Sequence, residues 1–151
     1  MADIALLKKL RNETLVSIAD CRKALDESKN DYKKALDILE KSGLEKAAKK
    51  STRETPQGIV EAYIHQNGKV GALVEVSCET DFVARNDVFK TLVHEIGMQI
   101  AAMSPKDVKE LLAQEYIRDS SRTIESMVKE AIAKLGENIV VKRFQRFEVG
   151  E

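Results

Sequence analysis

The chain has 151 residues, and since domains run to about 100–200 residues it forms one compact unit or a small module joined to a larger one. Its 25 Lys plus Arg balance 25 Asp plus Glu, which excludes a protein built as a polycation for nucleic acid or anionic membranes; any charged site has to be local. Apolar residues at 43% exclude a disordered chain, and aromatics at 5% with no Trp argue against stacking platforms for bases. Two cysteines, Cys21 and Cys78, are too few for a disulfide framework and lack a CxxC partner, so both read as small buried groups. Asp3, Lys8, Lys9 and Arg11 interrupt the only leucine-rich stretch near the start, and the longest uncharged run, Ile96 to Pro105, is about half a membrane span, so the expected location is the cytoplasm.

The elements follow in chain order. Asp3 caps a helix with Ile4, Leu7 and Leu10 on one stripe. Ser17 and Asp20 form a capping pair ahead of Ile18, Cys21, Ala24 and Leu25, and Asp31 opens a third helix with Tyr32, Ala35, Leu36 and Leu39. Gly43 is expected to stop it, which makes residues 1–43 a three-helix domain. Residues 44–57 read as a basic helical linker without an apolar stripe; Glu45 and Glu54 dilute Lys46, Lys49, Lys50 and Arg53, so no direct nucleic-acid contact is expected. The two parts differ in charge, with 13 basic and 10 acidic residues up to position 57 against 12 and 15 beyond it.

Residues 58–151 read as an α+β core. Gly58 to His65 alternates, with Val60, Ala62 and Ile64 on one face; after the turn signal Asn67-Gly68, a second strand puts Val70, Ala72, Val74, Val76 and Cys78 on one face. Asn86 or Asp87 opens a helix with Phe89, Leu92, Val93, Ile96, Ile100 and Met103 as its apolar face and His94 opposite. Ser104-Pro105 ends it and begins a short helical stretch to Ala113, with Pro105 at the first helical position; Gln114 to Ser120 carries no clear signal. Ile124 to Leu135 is amphipathic and stops at Gly136, and Ile139 to Glu148 is a third strand, so that helices cover one face of a small antiparallel three-stranded sheet.

No phosphate-binding loop, dinucleotide fingerprint, zinc-protease motif or nucleophile elbow is present, and His65 and His94 lie on different elements with no second ligand at metal spacing. No catalytic residue, metal site or cofactor is expected; a thiol pair of Cys78 with His65 is the weakest of the readings. The segment Cys78-Glu79-Thr80-Asp81-Phe82-Val83-Ala84-Arg85-Asn86 stands out, because two acids, a large aromatic and an Arg follow an apolar strand directly. Two readings are open. Phe82 and Val83 close the end of the core with Asp81 as a turn or cap residue, or Phe82 is an exposed anchor beside a carboxylate on a rigidly held loop.

At these residues the sequence resembles the elongation factor Ts family. Thr80-Asp81-Phe82-Val83 with its flanks, the Leu6 to Leu25 pattern, Gly43-Leu44-Glu45-Lys46-Ala47-Ala48-Lys49-Lys50, and Ala133 to Phe144 are similar to the family in the same order. The resemblance implies a ubiquitin-associated-like domain, a linker and an α+β core, and it implies a non-enzymatic guanine nucleotide exchange factor that promotes GDP release from elongation factor Tu. It implies that Asp81 and Phe82, completed by Thr80 and Val83, insert near the magnesium site of that GTPase. It also implies that the N-terminal helices dock on the same domain, here through Leu15, Val16, Ile18 and Asp20, where the family commonly has a glycine-bearing turn and two methionines. Long members have a duplicated core; this chain has one copy and a shortened stretch from Lys106 to Ser121. Short members homodimerise through the sheet, which implies a dimer face at Val141, Arg143, Gln145 and Phe147; with Gln145 where some members have cysteine, the dimer would lack a disulfide there. The rival reading is a ubiquitin-associated-like adaptor or RNA-associated module without exchange activity.

Overall fold

The computed structural model describes residues 1–151. Side-chain caps set the three N-terminal helices where the sequence places them. The Asp3 carboxylate accepts the Leu6 N–H (3.0 Å) at the start of α1 (Ile4–Thr14). Ser17 opens α2 (Ile18–Glu27), its hydroxyl accepting the Asp20 N–H (3.1 Å) and donating to Asp20 Oδ2 (2.8 Å). Asp31 opens α3 (Tyr32–Lys50) by accepting the Lys34 N–H (3.2 Å). Each cap satisfies a backbone donor that the first helical turn leaves free. The helices close on a small core of Leu10, Cys21, Ala24, Leu25, Ala35 and Leu39. Ile4 and Ile18 lie outside this core and are exposed. Leu15 ends α1 in the left-handed region (φ 57°), where a side chain costs about 1–2 kcal/mol relative to glycine.

The expected stop at Gly43 is corrected by the structure: α3 runs on to Lys50. Gly43 instead serves a close approach, since a β-carbon there would stand 3.2 Å from Cβ of Ala133 in α7 (Ile124–Leu135). The segment after it does have an apolar contact. Ala47 is only 3% exposed and belongs to the main core, while Lys46 Nζ lies 2.9 Å from Asp20 Oδ2. That hydrogen bond, helped by Ser17, holds the Asp20 carboxyl below the usual carboxylate range. Two small residues one helical turn apart, Gly43 and Ala47, invisible to a search for large apolar side chains, thus carry the docking.

The sheet contains β1 (Gln57–Ile64), β2 (Val70–Cys78) and β5 (Ile139–Glu148) in the order β1-β2-β5, every pair antiparallel. The β1–β2 turn closes through His65 N–H to the Val70 carbonyl (2.9 Å) and Gly68 N–H to the His65 carbonyl (2.7 Å). Of the alternating faces named from the sequence, that of β2 turns inward, with Ala72, Val74, Val76 and Cys78 buried. That of β1 turns outward: Val60 and Ile64 are exposed, and it is Ile59 and Tyr63 that pack on the core. The three residues share a face as the alternation implies, but alternation by itself does not say whether that face turns to the core or to solvent.

Against the inner face lie α5 (Asp87–Met103), through Phe89, Val93, Ile96 and Ile100, and α7, through Ile124, Val128, Ala131 and Ile132. His94 faces outward as expected, whereas Met103, expected in the core, is exposed beside the left-handed Ser104 that ends α5. Pro105 is not at a first helical position, because α6 (Val108–Ala113) is capped by Asp107. The stretch without a clear signal forms a small hairpin, β3 (Glu115–Tyr116) with β4 (Asp119–Thr123). Gln99, fully buried on α5, donates to the Glu115 carbonyl (3.0 Å) and accepts the Ile117 N–H (3.0 Å), which ties this hairpin to the core.

A register shift alters the faces of β5. Val76 pairs with Val141, the next pair is Glu75 with Arg143, and Lys142 is passed over. Val141 therefore points into the core and does not share the outer face with Arg143, Gln145 and Phe147, as strict alternation required. The same shift turns Phe144 inward, where it packs against the core. No helix is long and apolar enough to cross a membrane.

The docking of α3 can be tested by a pair of neighbouring substitutions. Ala47→Glu, which forces a charge into a closed contact, is expected to lower stability by about 2–4 kcal/mol. Ala48→Glu, on the exposed side of the same helical turn, should stay within about 0.5 kcal/mol of the parent. Urea denaturation of both variants checks this; equal values would mean that residues 44–50 are a free linker.

Candidate functional site: an exposed aromatic on a clasped loop

β2 delivers the chain to the loop. Its last residues, Val76, Ser77 and Cys78, are buried, so the end of the strand is fixed. Thr80 then adopts an extended conformation and caps the short helix α4 (Asp81–Ala84), its hydroxyl accepting the Val83 N–H at 3.4 Å. In four residues α4 splits its side chains between two environments. Val83 and Ala84 are buried in the main core, whereas Phe82 is 85% exposed. Burying a Phe side chain is worth about 1.5–3 kcal/mol, and the fold leaves most of that unrealised. Of the two readings of this segment, core closure holds for Val83 and exposure for Phe82. Asp81 is a first-turn residue, favourably placed at the positive end of the helix, and Thr80 rather than Asp81 is the cap. The Asp81 carboxylate pairs with Arg85 one turn on, both side chains more than half exposed.

A second loop clasps this one. Gly136, left-handed at φ 75°, ends α7 and turns the chain so that Glu137 and Asn138 lie beside residues 79–80. Glu137 Oε1 accepts the N–H groups of Glu79 (3.1 Å) and Thr80 (2.9 Å), and its Oε2 accepts the Thr80 hydroxyl (2.6 Å). In return Glu79 Oε2 accepts the Asn138 N–H (2.6 Å) and faces Arg53 at 3.5 Å. Asn138, buried, donates through Nδ2 to the Arg53 carbonyl (2.8 Å). Nothing in the local pattern around Glu137 distinguishes it from a surface acid after a helix stop; its role depends on a contact 57 residues away in sequence, and sequence reasoning missed it together with Glu79, Asn138 and Arg53.

Cys78 sits under this loop, its thiol donating to the Thr80 carbonyl (3.2 Å). Burial, reinforced by the charge of Glu137, pushes its pKa up to about 11. The thiol therefore stays protonated at neutral pH and is a poor nucleophile. His65 is no partner for it. It follows β1 at the end paired with Gly71, while Cys78 pairs with Gln57 at the other end of the strand. No group of three or more His, Cys, Asp or Glu is arranged to hold a metal ion.

The remaining expected site residues lie elsewhere. Leu15 and Ile18 are exposed around the α1–α2 connection, Val16 packs partly on the small N-terminal core, and Asp20 is engaged by Lys46. Arg143, Gln145 and Phe147 are on the outer sheet face, which also exposes Val60, Ile64 and Leu73.

The site is thus an exposed aromatic beside a carboxylate, on a hydrogen-bonded loop of an α+β chain. Comparison with known proteins identifies the family. A family profile described as Elongation factor TS matches residues 79–151. Elongation factor Ts of Coprothermobacter proteolyticus is 43% identical over 192 positions, covering 97% of this chain and 98% of the relative. That of a Thermoanaerobacter species is 43% identical over 196 positions, covering 100% and 96%. That of a Nostoc species is 48% identical over 149 positions, 97% of this chain and 47% of the relative. The chain belongs to the elongation factor Ts family and thus to the translation elongation factors. The first two alignments nearly span both partners yet exceed 151 positions, so those relatives have internal residues without a counterpart here.

The thiol geometry has a direct test. Neither Cys21 nor Cys78 is exposed, so the native protein at pH 7.5 is expected to show no fast phase with an aromatic disulfide reagent, and two reactive thiols once unfolded in guanidinium. A fast-reacting thiol in the native protein would contradict the buried, protonated state of Cys78.

Proposed function

We propose that this chain is a guanine nucleotide exchange factor that promotes GDP release from elongation factor Tu, acting by contact and without a covalent step of its own. The observation that carries the reading is Phe82, an exposed aromatic beside Asp81 on a loop whose next two residues are buried. Mg²⁺ holds nucleotide phosphate at short, near-octahedral distances and tolerates little displacement of its surroundings. Phe82 supplies a wedge that forces such a displacement. Asp81 competes for the groups that organise the metal, and its exchange from Arg85 to a partner costs little because the present pair is solvent-exposed. Thr80 and Val83 fix the wedge from either side, the one as cap and the other as core anchor.

Coupling is reciprocal. A factor that weakens nucleotide binding a thousandfold is itself bound a thousandfold more weakly when nucleotide is present, about 4 kcal/mol of coupling. Release and rebinding then make a cycle. In this reading residues 1–43 form a docking domain that meets the GTPase through Leu15, Val16, Ile18 and Asp20, residues 44–57 connect, and 58–151 form the domain that carries the wedge. The protein works in the cytoplasm beside its partner, without a membrane.

The decisive measurement is stopped-flow release of fluorescent GDP from elongation factor Tu. Acceleration is expected for the parent, and Phe82→Ala should lower the maximal rate by about tenfold or more, near 1.4 kcal/mol, with unchanged thermal stability because the side chain makes little core contact. An unaltered rate in the variant would remove Phe82 from the mechanism, and no acceleration by the parent at saturation would end the exchange reading.

We further propose a homodimer through the outer sheet face, where Val60, Ile64, Leu73 and Phe147 are exposed. These residues form an apolar patch with the Glu75–Arg143 pair at one end, on the face of the sheet opposite the helices. Sedimentation equilibrium at micromolar concentration should give twice the chain mass, and Leu73→Glu should return it to one; a parent that stays monomeric refutes the dimer.

A further inference from the structure

We infer that Glu137 is a positioning residue for the Asp81–Phe82 wedge, and that the reciprocal pair Glu137 and Glu79 is the device that fixes where Phe82 stands. The inference rests on the exchange reading for its functional consequence, though not for the loop geometry itself.

A four-residue helix cannot orient itself. It has a single turn, and helix nucleation is unfavourable without outside contacts. On the core side α4 is held by Val83 and Ala84. On the entry side the backbone after β2 has left the sheet, and the N–H groups of Glu79 and Thr80 have no strand partner there. Glu137 meets both and the Thr80 hydroxyl as well, so one carboxylate satisfies three donors in two successive residues. Hydrogen bonds to an ionised acceptor are about twice as strong as neutral ones. Glu79 reaches back in the opposite direction to Asn138 N–H, and Asn138 is itself pinned to the Arg53 carbonyl. The clasp therefore joins three segments, 51–53, 79–80 and 137–138, and its rigid footing is the end of α7 and the start of β5. None of its side chains has to touch a partner for it to act, since it sets the direction in which α4 leaves the sheet and with it the position of Phe82. A displacement of about 1 Å at a positioned group can cost a hundredfold in rate.

The test uses the full chain and separates the clasp from exchange. The protein has no Trp, so Phe82→Trp installs a single reporter in the loop. In that background Glu137→Ala is expected to lower the Trp fluorescence anisotropy of the free protein while its far-ultraviolet circular dichroism keeps the parent shape. In the Phe82 parent, Glu137→Ala is expected to reduce the maximal GDP-release rate about tenfold with the half-saturating concentration nearly unchanged, because docking elsewhere persists. Glu137→Gln keeps a carbonyl acceptor for the two N–H groups and should restore most of the rate. If Glu137→Ala does not fold, Glu137→Asp, which draws the carboxylate back by one methylene from the Glu79 and Thr80 donors, should show the same split between rate and half-saturation. Unchanged anisotropy and unchanged maximal rate in a folded Glu137→Ala protein would overturn the inference, as would a Glu137→Gln variant as defective as Ala. If the parent itself fails to accelerate release, the exchange reading falls alone, and the anisotropy still decides the clasp.

Discussion

The structure depends on the burial of β2. It is the middle strand, hydrogen-bonded to β1 on one edge and β5 on the other, and Val74, Val76 and Cys78 have no exposure at all. A strand closed on both edges and on one face has a single register in which its apolar side chains are inside. That register sets the two strand partners, the seat of α5, and the point at which the chain leaves the sheet. The loop with Phe82 begins where this strand ends, so the most constrained segment of the protein delivers its most exposed large aromatic.

The two hydrophobic cores communicate through α3. Its 19 residues make a rod of about 28 Å, with Ala35 and Leu39 in the small core and Ala47 in the large one. Because the helix is continuous across Gly43, the N-terminal helices are carried on an extension of the α+β part rather than on a tether. The tie from Lys46 to Asp20 adds a polar contact across the same junction. An excess of basic residues in the first part and of acidic residues in the second is thereby held in a defined arrangement, which a neutral total conceals.

Much of this was legible. Caps at Asp3, Ser17 and Asp31, the stop at Gly136 and the Asn67-Gly68 turn each depend on residues within four positions of one another, and each was read correctly; of the two starts open for α5, Asn86 is the cap. What failed depended on distant contacts. Gly43 has the composition of a helix stop, yet its role is set by Ala133 of another helix. The outward face of β1 is as apolar as an inward one, so periodicity could not choose between them. Val141 left the face of Arg143, Gln145 and Phe147 because of a register shift that is visible only when β5 is laid against β2. At the candidate site, Asp81 and Phe82 stood out because acids and an aromatic follow an apolar strand directly, with a buried and an exposed reading both open; the exposure of Phe82 beside a buried Val83 followed only from the fold. Glu137 was missed because a carboxylate that serves another loop's backbone leaves no periodic trace.

Gln99 has a different kind of consequence. The region from Lys106 to Thr123 is joined to the body through Val108, Leu111, Leu112 and Tyr116, through the Arg118–Glu95 and Arg122–Glu130 ion pairs, and through this amide, which meets the hairpin backbone on both its donor and its acceptor side. The connections between these anchors are a port in the architecture. Doubling a connection's length costs only about 0.6 kcal/mol in closure entropy, so residues can be gained or lost between those anchors while β2 and the Phe82 loop stay as they are. A lineage could resize the protein here without redesigning its working end.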